Sequence, residues 1–499
     1  MRYQNPVIRG FHPDPSICRV GEDYYTVSST FEYAPGISLF HSRDLLNWEQ
    51  IGNCLDGIED IDLSAASDSG GVWAATIFHH DDQYYVTANV QEQGNFIIRT
   101  DDPEKGWSEP LWIDAGGIDP SLYFEDGRSY YLTNESNEAG KEMICLAEID
   151  LKSGQLLGEM ESIWHGTGGG FLEAPHLYKI KDYYYLLAAE GGTFSNHKAS
   201  IARSRHLSGP YESCPDHPIL TNAHDTSMEV RCSGHGDIFQ DHKGNWWIIH
   251  LACRSARRTM THLGRETFLT PLFWKDSWPY VKNNKMARLT ENGAVLAEQK
   301  LHDRWEADFS KSDFTPQWRF LRNPVRENYK IKYGKLFIYP SVITLQDAAN
   351  PSYAAVVQGD FDCEFRTHFR FRTKEEGDRA GLALYLSSDF YCFFGIIKEA
   401  EHDSLILFRK ADDIKFTSVK IPFNYTDIHL RIKADKENYH FFYKTEGKEW
   451  QKAGSASSRF LSPEIAGKCF TGTTAGLYTA CESDTSAVME VFDFSMSCL

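Results

Sequence analysis

The chain has 499 residues, too many for one ordinary domain, and its 41% hydrophobic and 24% charged residues are the balance of a folded globular protein. A formal net charge of −19 argues against a nucleic-acid partner, which needs a basic surface to neutralise phosphates. No apolar run reaches the length of a membrane span, and the opening MRYQNPVIRGFHPDPS has neither an apolar core nor a small-residue cleavage signal. A cytoplasmic setting with no membrane partner is therefore expected. The 11 cysteines, scattered from Cys18 to Cys498 without Cys-x-x-Cys pairs, read as reduced structural thiols rather than a disulfide framework or zinc site.

Taken in chain order, one pattern repeats. An aromatic doublet opens five short β-like runs: EDYYTVSS at Tyr24, DQYYVTAN at Tyr84, RSYYLTN at Tyr130, DYYYLLAA at Tyr184 and GNWWIIHL at Trp246. Each follows a polar or glycine-containing turn and a shorter apolar segment, which predicts a hairpin. The doublets are 60, 46, 54 and 62 residues apart, room for about four short strands per repeat. Helical periodicity is nearly absent from residues 1–280. An all-β, five-bladed propeller over residues 1–300 is predicted, against the plainer alternative of a sandwich rich in tyrosine.

A second regularity lies ahead of the doublets. Asp14 precedes Tyr24 by 10 residues, while Trp73, Asp119, Glu173 and His235 each precede their doublet by 11. If the first strand of each hairpin lines the central channel, these five side chains converge on one channel mouth. Asp14 and Asp119 both sit in Asp-Pro-Ser, and the following Pro15 and Pro120 predict extended backbone and rigid aim for each carboxylate. Singly, each residue has a bland reading: turn aspartates, a solvated loop glutamate, a core tryptophan and an incidental histidine between glycines. Their common phase favours a site. Two carboxylates flanking a glycosidic bond are the minimum machinery of glycoside hydrolysis, and a third carboxylate nearby raises the acid's pKa.

The run NPVIRGFHPDPSICRVGEDYYTVSSTFEYAPGISLFHSRDLLNWEQIG resembles the opening of glycoside hydrolase family 43, of the β-xylosidase and α-L-arabinofuranosidase type. The resemblance continues in order through GGIDPSLYFEDG, LEAPHLYKIKDYYYLLAAEGGT, ARSRHLSGPYE, GHGDIF and LGRETFL. It implies an inverting mechanism with Asp14 as general base, Glu173 as general acid and Asp119 as the group that tunes and orients the acid. It further implies that Arg265 binds the sugar, that Trp73 and His235 line the pocket, and that in some members a calcium ion sits beside the histidine. No cofactor is otherwise implied. Inversion calls for the Asp14 and Glu173 carboxyls to stand about 6.5–9.5 Å apart. Two departures stand out: Trp73-Ala74-Ala75 replaces the expected WAP, and Glu173-Ala174-Pro175-His176 replaces EGPH, placing a methyl where it would crowd the leaving-group side.

Beyond residues 282–310 the repeat stops. CEFRTHFRFRT, GLALYLSS, DIHLRIKAD and AVMEVFDFSMS alternate as antiparallel strands with one buried face, predicting a two-sheet sandwich over residues 310–499. ADFSKSDFTPQWRFLRNP resembles the start of the concanavalin-like domain that accompanies these xylosidases. That domain is implied to pack on the propeller and send a loop to the pocket wall, with Phe470 in CFTGTTAGLY as the closing residue. A closed wall means an exo-acting enzyme on short oligosaccharides; an open one means an endo-arabinanase. A non-catalytic sugar-binding propeller would lack an essential carboxylate. Fructan and sucrose hydrolases are set aside because no Arg-Asp-Pro occurs. Xylose against arabinose stays open, as does oligomeric state, a homo-oligomer included.

Overall fold

In the computed structural model, described here for residues 2–57, 61–294, 297–300, 303–467 and 469–498, five blades follow one another along the chain, four of them four-stranded and the fourth in order with a short fifth strand. Their first strands are Ser16–Val20, Val72–His80, Ser121–Glu125, Glu173–Ile180 and Val230–Gln240. The aromatic doublets stand in the second strands, Asp23–Ser28, Gln83–Val90, Arg128–Ser136, Tyr183–Glu190 and Trp246–Arg254. All five predicted hairpins form.

Two-residue turns join the first two strands of four blades. In the second and third blades both turn residues have positive φ, Asp81 and Asp82 in one and Asp126 and Gly127 in the other, the backbone sense that matches strand twist. The ring closes where Arg2–Gln4 pairs with Thr290–Asn292 and Asn5 exchanges two hydrogen bonds with Leu269. The only α-helix among the described residues, Pro463–Ala466, is four residues long. No helix among them is long and apolar enough to cross a membrane.

The C-terminal sandwich has two eight-stranded sheets, an outer one with Met489–Cys498 in its interior and an inner one. The predicted alternation holds in the outer sheet, where Phe365, Thr367, Phe369 and Phe371 are buried and Arg366, His368 and Arg370 reach solvent. It fails for GLALYLSS. Every residue of Ala380–Ser387 is buried, because the inner sheet is covered on both faces. Leu382, Leu384 and Leu386 enter the sandwich core, whereas Ala383 and Tyr385 enter a second core shared with Phe11, Phe31 and Tyr33 of the propeller.

The two parts are joined by strand pairing as well as packing. Tyr33–Ala34, from the first blade, is the edge strand of the inner sheet, paired with Arg319–Leu321. Asp68, from the loop before the second blade, accepts from Arg322, Tyr385 and Ser388. The first sandwich strand, Asp303–Glu306, already pairs with the last, upstream of the expected start at 310. Within the boundary region residues 295–296 and 301–302 lie outside the described residues, as do the termini Met1 and Leu499. The reduced-thiol expectation needs one correction. Cys363 and Cys498, directly opposite on neighbouring strands, form a disulfide, a pairing that wide sequence separation hid.

Candidate active site

The first strands of the blades are tied around the channel by buried polar bonds. Asp237 accepts from Ser16 Oγ, Ile17 N and Tyr178 OH, stapling the first, fourth and fifth blades. Ser16 Oγ also accepts from Ile77 N, and Thr76 Oγ1 donates to Pro120 O, which adds the second and third. The entry points of all five strands are thereby fixed relative to one another.

Asp14 and Asp119 end the segments leading into two of these strands, and both are buried. Each has φ of 52°, so the extended backbone expected from the following prolines does not occur. Proline excludes the right-handed helical region for its predecessor, and aspartate is among the few residues that tolerate the left-handed one. The turn in the chain, rather than an extended approach, aims the carboxylates.

Arg265 lies just ahead of the third strand of the fifth blade and is buried. Its Nη1 donates to Asp14 Oδ1 at 2.7 Å and to Thr193 Oγ1 at 2.9 Å. Ser29 Oγ donates to the other Asp14 oxygen at 2.6 Å, and His235 Nδ1 stands 3.6 Å from Oδ1. Burial opposes ionisation of Asp14, but Arg265 with His235 and Ser29 outweighs it and holds the carboxyl below its ordinary pKa. His235 is itself driven down to about 4 by burial, so at neutral pH the guanidinium is the charge that matters.

Glu173 opens the first strand of the fourth blade, where a bulge between Glu173 and His176 shifts the register. Its carboxyl is raised to about 7, first by burial and then by Asp14 and Glu142, with Arg265 opposing. Asp119 is pushed well above the carboxylate range by burial, Glu173 and Asp14. Neither the Asp119 nor the Glu173 carboxyl has a hydrogen-bond partner among the described residues, and no hydrogen bond joins the three carboxyls. One carboxylate is held ionised and two are held toward the protonated form, sharing the cost of confined like charges.

The departure at position 174 takes a different form from that expected. Ala174 is buried, and it has φ of 55° inside the bulge. The cost of an alanine where the resemblance has glycine falls on the backbone, about 1–2 kcal/mol. Ala75 packs in the core between the first and second blades, away from the carboxylates.

The sandwich reaches the site as the resemblance implied. Phe470 O accepts from Arg265 Nε and Nη2 at 3.4 and 3.3 Å, and Phe470 N donates to Ser69 Oγ at 2.9 Å. Its ring lies 6.0 Å from both Phe31 and Phe194, and the Arg265 guanidinium faces Phe31 and Phe470 at 5.3 and 5.8 Å. Trp73 is half-buried, packs against the cluster containing Phe31 and donates to Ser69 O at 3.3 Å. The loop carrying Phe470 is seated by touching backbones. A Cβ on Gly472 would lie 2.3 Å from Leu263 O, and one on Gly264 would lie 2.8 Å from the Gly472 Cα. A cavity of about 320 Å³ backs onto Arg265 and Phe470, but thiols and loop residues line it and none of the three carboxylates does.

Around His235 the available carboxylates are already engaged, Asp14 by Arg265 and Ser29, Asp237 by three donors; the remaining neighbours His176 and His197 offer nitrogen. Calcium takes six to eight oxygens, so this donor set does not fit it. Among the described residues no group of three or more His, Cys, Asp or Glu forms a metal cage.

Several site residues carried no sequence signal. Phe31, Thr193, Phe194 and Ser29 sit in connections between strands, and only the fold places them against Arg265. Glu142 is another. Its two oxygens accept from Phe171 N and Leu172 N at 3.0 and 3.1 Å, clamping the two residues before Glu173.

A five-bladed propeller that holds one ionised and two proton-retaining carboxylates beside a buried arginine is the framework of a glycoside hydrolase. Residues 3–279 match the model for glycosyl hydrolases family 43, and residues 306–495 match the β-xylosidase C-terminal concanavalin A-like domain. The chain belongs to glycosyl hydrolase family 43. It is 33% identical over 513 residues to a non-reducing end α-L-arabinofuranosidase of Bacteroides ovatus, covering 100% of this chain and 95% of the relative. To a β-xylosidase of Bacillus subtilis it is 32% identical, covering 96% of each. A family 43 protein from Bacillus licheniformis superposes with a TM-score of 0.93 at 32% identity over 100% of both chains.

Proposed function

We propose that the protein is an exo-acting, inverting pentosidase that removes one β-D-xylosyl or α-L-arabinofuranosyl unit from the non-reducing end of a short oligosaccharide. The observation that carries this reading is the split protonation of the site: Asp14 is held ionised by Arg265, while Glu173 keeps its proton up to about 7. Asp14 takes a proton from water as its oxygen bonds to the anomeric carbon. The glycosidic C–O bond breaks, and Glu173 gives its proton to the departing oxygen. Asp119 raises and orients the acid; Arg265, Trp73, His235 and the Phe31–Phe470 pair hold the sugar. The Phe470 loop, bonded to both Arg265 and Ser69, supports a closed wall and an exo mode over an endo-arabinanase. Both relatives' activities point to a pentose, and their similar identities to this chain leave both sugars in the reading.

The test is hydrolysis of aryl β-D-xylopyranoside and aryl α-L-arabinofuranoside by the parent, Asp14→Ala and Glu173→Ala proteins, with the anomer released followed by NMR. Turnover lost in both variants, and an inverted first-formed anomer, are expected. A retained anomer would overturn the single-displacement mechanism; no turnover of either sugar would overturn the pentosidase reading.

A further inference from the structure

A second concavity lies on the sandwich, on the same inner-sheet face that packs against the propeller. The propeller covers one part of that face, with Phe31 and Tyr33 against Tyr353 and Tyr385. Further along the sheet, Tyr391, Phe393, Ile406, Phe408 and Tyr478 floor a groove of about 760 Å³. The connection containing Val342, Thr344, Gln346 and Asp347 walls one side, and Thr417 and Lys420 of the strand Ile414–Phe423 line it from the edge of the sheet. The volume is within the range of sites for small organic ligands.

The groove's chemistry narrows its occupant. Its cations Arg379, Lys415 and Lys420 are matched by Asp347, Glu399 and Glu482, three against three. Arg379 is bonded to Glu482 at 3.0 Å, Lys420 to Glu399 at 2.6 Å and Lys415 to Gln346 at 2.8 Å. No surplus charge remains to draw in an ion. The floor strands Phe390–Lys398, Asp403–Ala411 and Thr474–Ala480 are paired on both sides, so the floor offers a peptide no backbone to pair with; the free edge there belongs to Ile414–Phe423. What is left is an apolar floor, a rim of side chains that donate and accept, and one hydroxyl on a largely buried ring. Tyr391 is 6% exposed, and its OH has no hydrogen-bond partner among the described residues. The oxygen is not among the polar atoms sealed from solvent, so it opens onto the groove and is free to bond a ligand.

We propose that this groove is a second, non-catalytic binding site for a neutral, hydroxyl-rich ligand, a short pentose oligosaccharide, with its ring faces on the apolar floor and a hydroxyl on Tyr391 OH. The choice of pentose rests on the pentosidase reading of the active site; the neutral polyol class rests on the groove alone.

The test uses the full chain carrying Glu173→Gln, so that sugars bind without turnover, with xylotriose and arabinotriose as probes in titration calorimetry. Two binding events per chain are expected with at least one of them. Adding Val342→Trp, which fills the groove from a position 59% exposed, abolishes one event or weakens it at least tenfold. Adding Arg265→Ala instead removes the other. Unchanged thermal unfolding of the Val342→Trp protein shows that the fold is intact. A single event indifferent to Val342→Trp, or two events both indifferent to it, overturns the groove site. So does absence of any second event while the parent turns over aryl pentosides, and in that outcome the pentosidase reading stands. Failure of that turnover is the separate result that removes the pentosidase reading.

Discussion

In the propeller each blade is made of strands that follow one another along the chain, with only Tyr33–Ala34 of the first blade diverted to the sandwich, so a blade is complete within about sixty residues of chain. In the sandwich's inner sheet, Arg379–Ser387 pairs with Thr474–Ala480, and the far edge is Tyr33–Ala34, which belongs to the first blade. The propeller holds the reactive carboxylates on short hairpins stapled at the channel. The sandwich holds no carboxylate of the site, yet it supplies the wall. Local construction gives precise aim to Asp14, Asp119 and Glu173, while non-local construction lets residue 470 touch residue 265. In the proposed mechanism, chemistry and selectivity are thus divided between two regions that one sheet joins.

The sharpest way to break this division is through the carboxylates. Asp14→Asn and Glu173→Gln are each expected to lower kcat by about 10²–10⁴ on an aryl pentoside, with thermal unfolding little changed. A Glu173→Gln loss that shrinks as the leaving group becomes more acidic identifies the acid; a uniform loss on all leaving groups would not.

The joint comes next. Asp68→Ala leaves the buried Arg322 guanidinium without its carboxylate and frees Ser388 and Tyr385. A loss of about 3–5 kcal/mol in stability is expected, measured by denaturant unfolding. If the two regions then unfold in separate transitions, the joint is what makes them one cooperative unit; an unchanged midpoint would show that strand pairing at Tyr33–Ala34 suffices.

Selectivity should fail separately from chemistry. Phe470→Ala, or Gly472→Ala, which drives a methyl into Leu263 O, is expected to lower kcat/KM about 10–100-fold through KM, with the basic limb of the pH profile unmoved. A fall confined to kcat would place Phe470 in the chemical step instead.

The pH profile sharpens the other half. Glu173 acts protonated and its pKa is raised to about 7, so activity falls as pH rises through about 7. Asp14 acts ionised and is held below its ordinary value, so the acidic limb lies below about 4. The smallest effect expected is from Glu142→Gln. Removing a negative neighbour that raises Glu173 moves the basic limb to lower pH by less than about one unit, and the loosened clamp on Phe171 and Leu172 lowers kcat. A limb that stays in place while kcat falls would leave Glu142 a purely structural role.

The five-bladed architecture and the convergence of Asp14, Trp73, Asp119, Glu173 and His235 were legible in the sequence because blades are local. A fixed count from doublet to landmark survives folding when the hairpin between them is closed by a short turn. The residues that complete the site were not legible: Phe31, Thr193 and Phe194 occupy connections, where no periodicity marks a position, and Glu142 opens a strand, where nothing in the pattern singles it out. The prolines at 15 and 120 misled, since they forbid one region of backbone space without choosing between the other two, and packing around the channel chose the left-handed one. GLALYLSS misled for a related reason. Strand alternation reports how many faces are covered, and the second cover comes from another domain. The sequence by itself determined which side chains the blades bring to the channel mouth, through short-range order that each blade repeats. Only the tertiary structure decided their protonation and the closure of the pocket, because a carboxyl's pKa and a loop's resting place depend on charges and backbones hundreds of residues away.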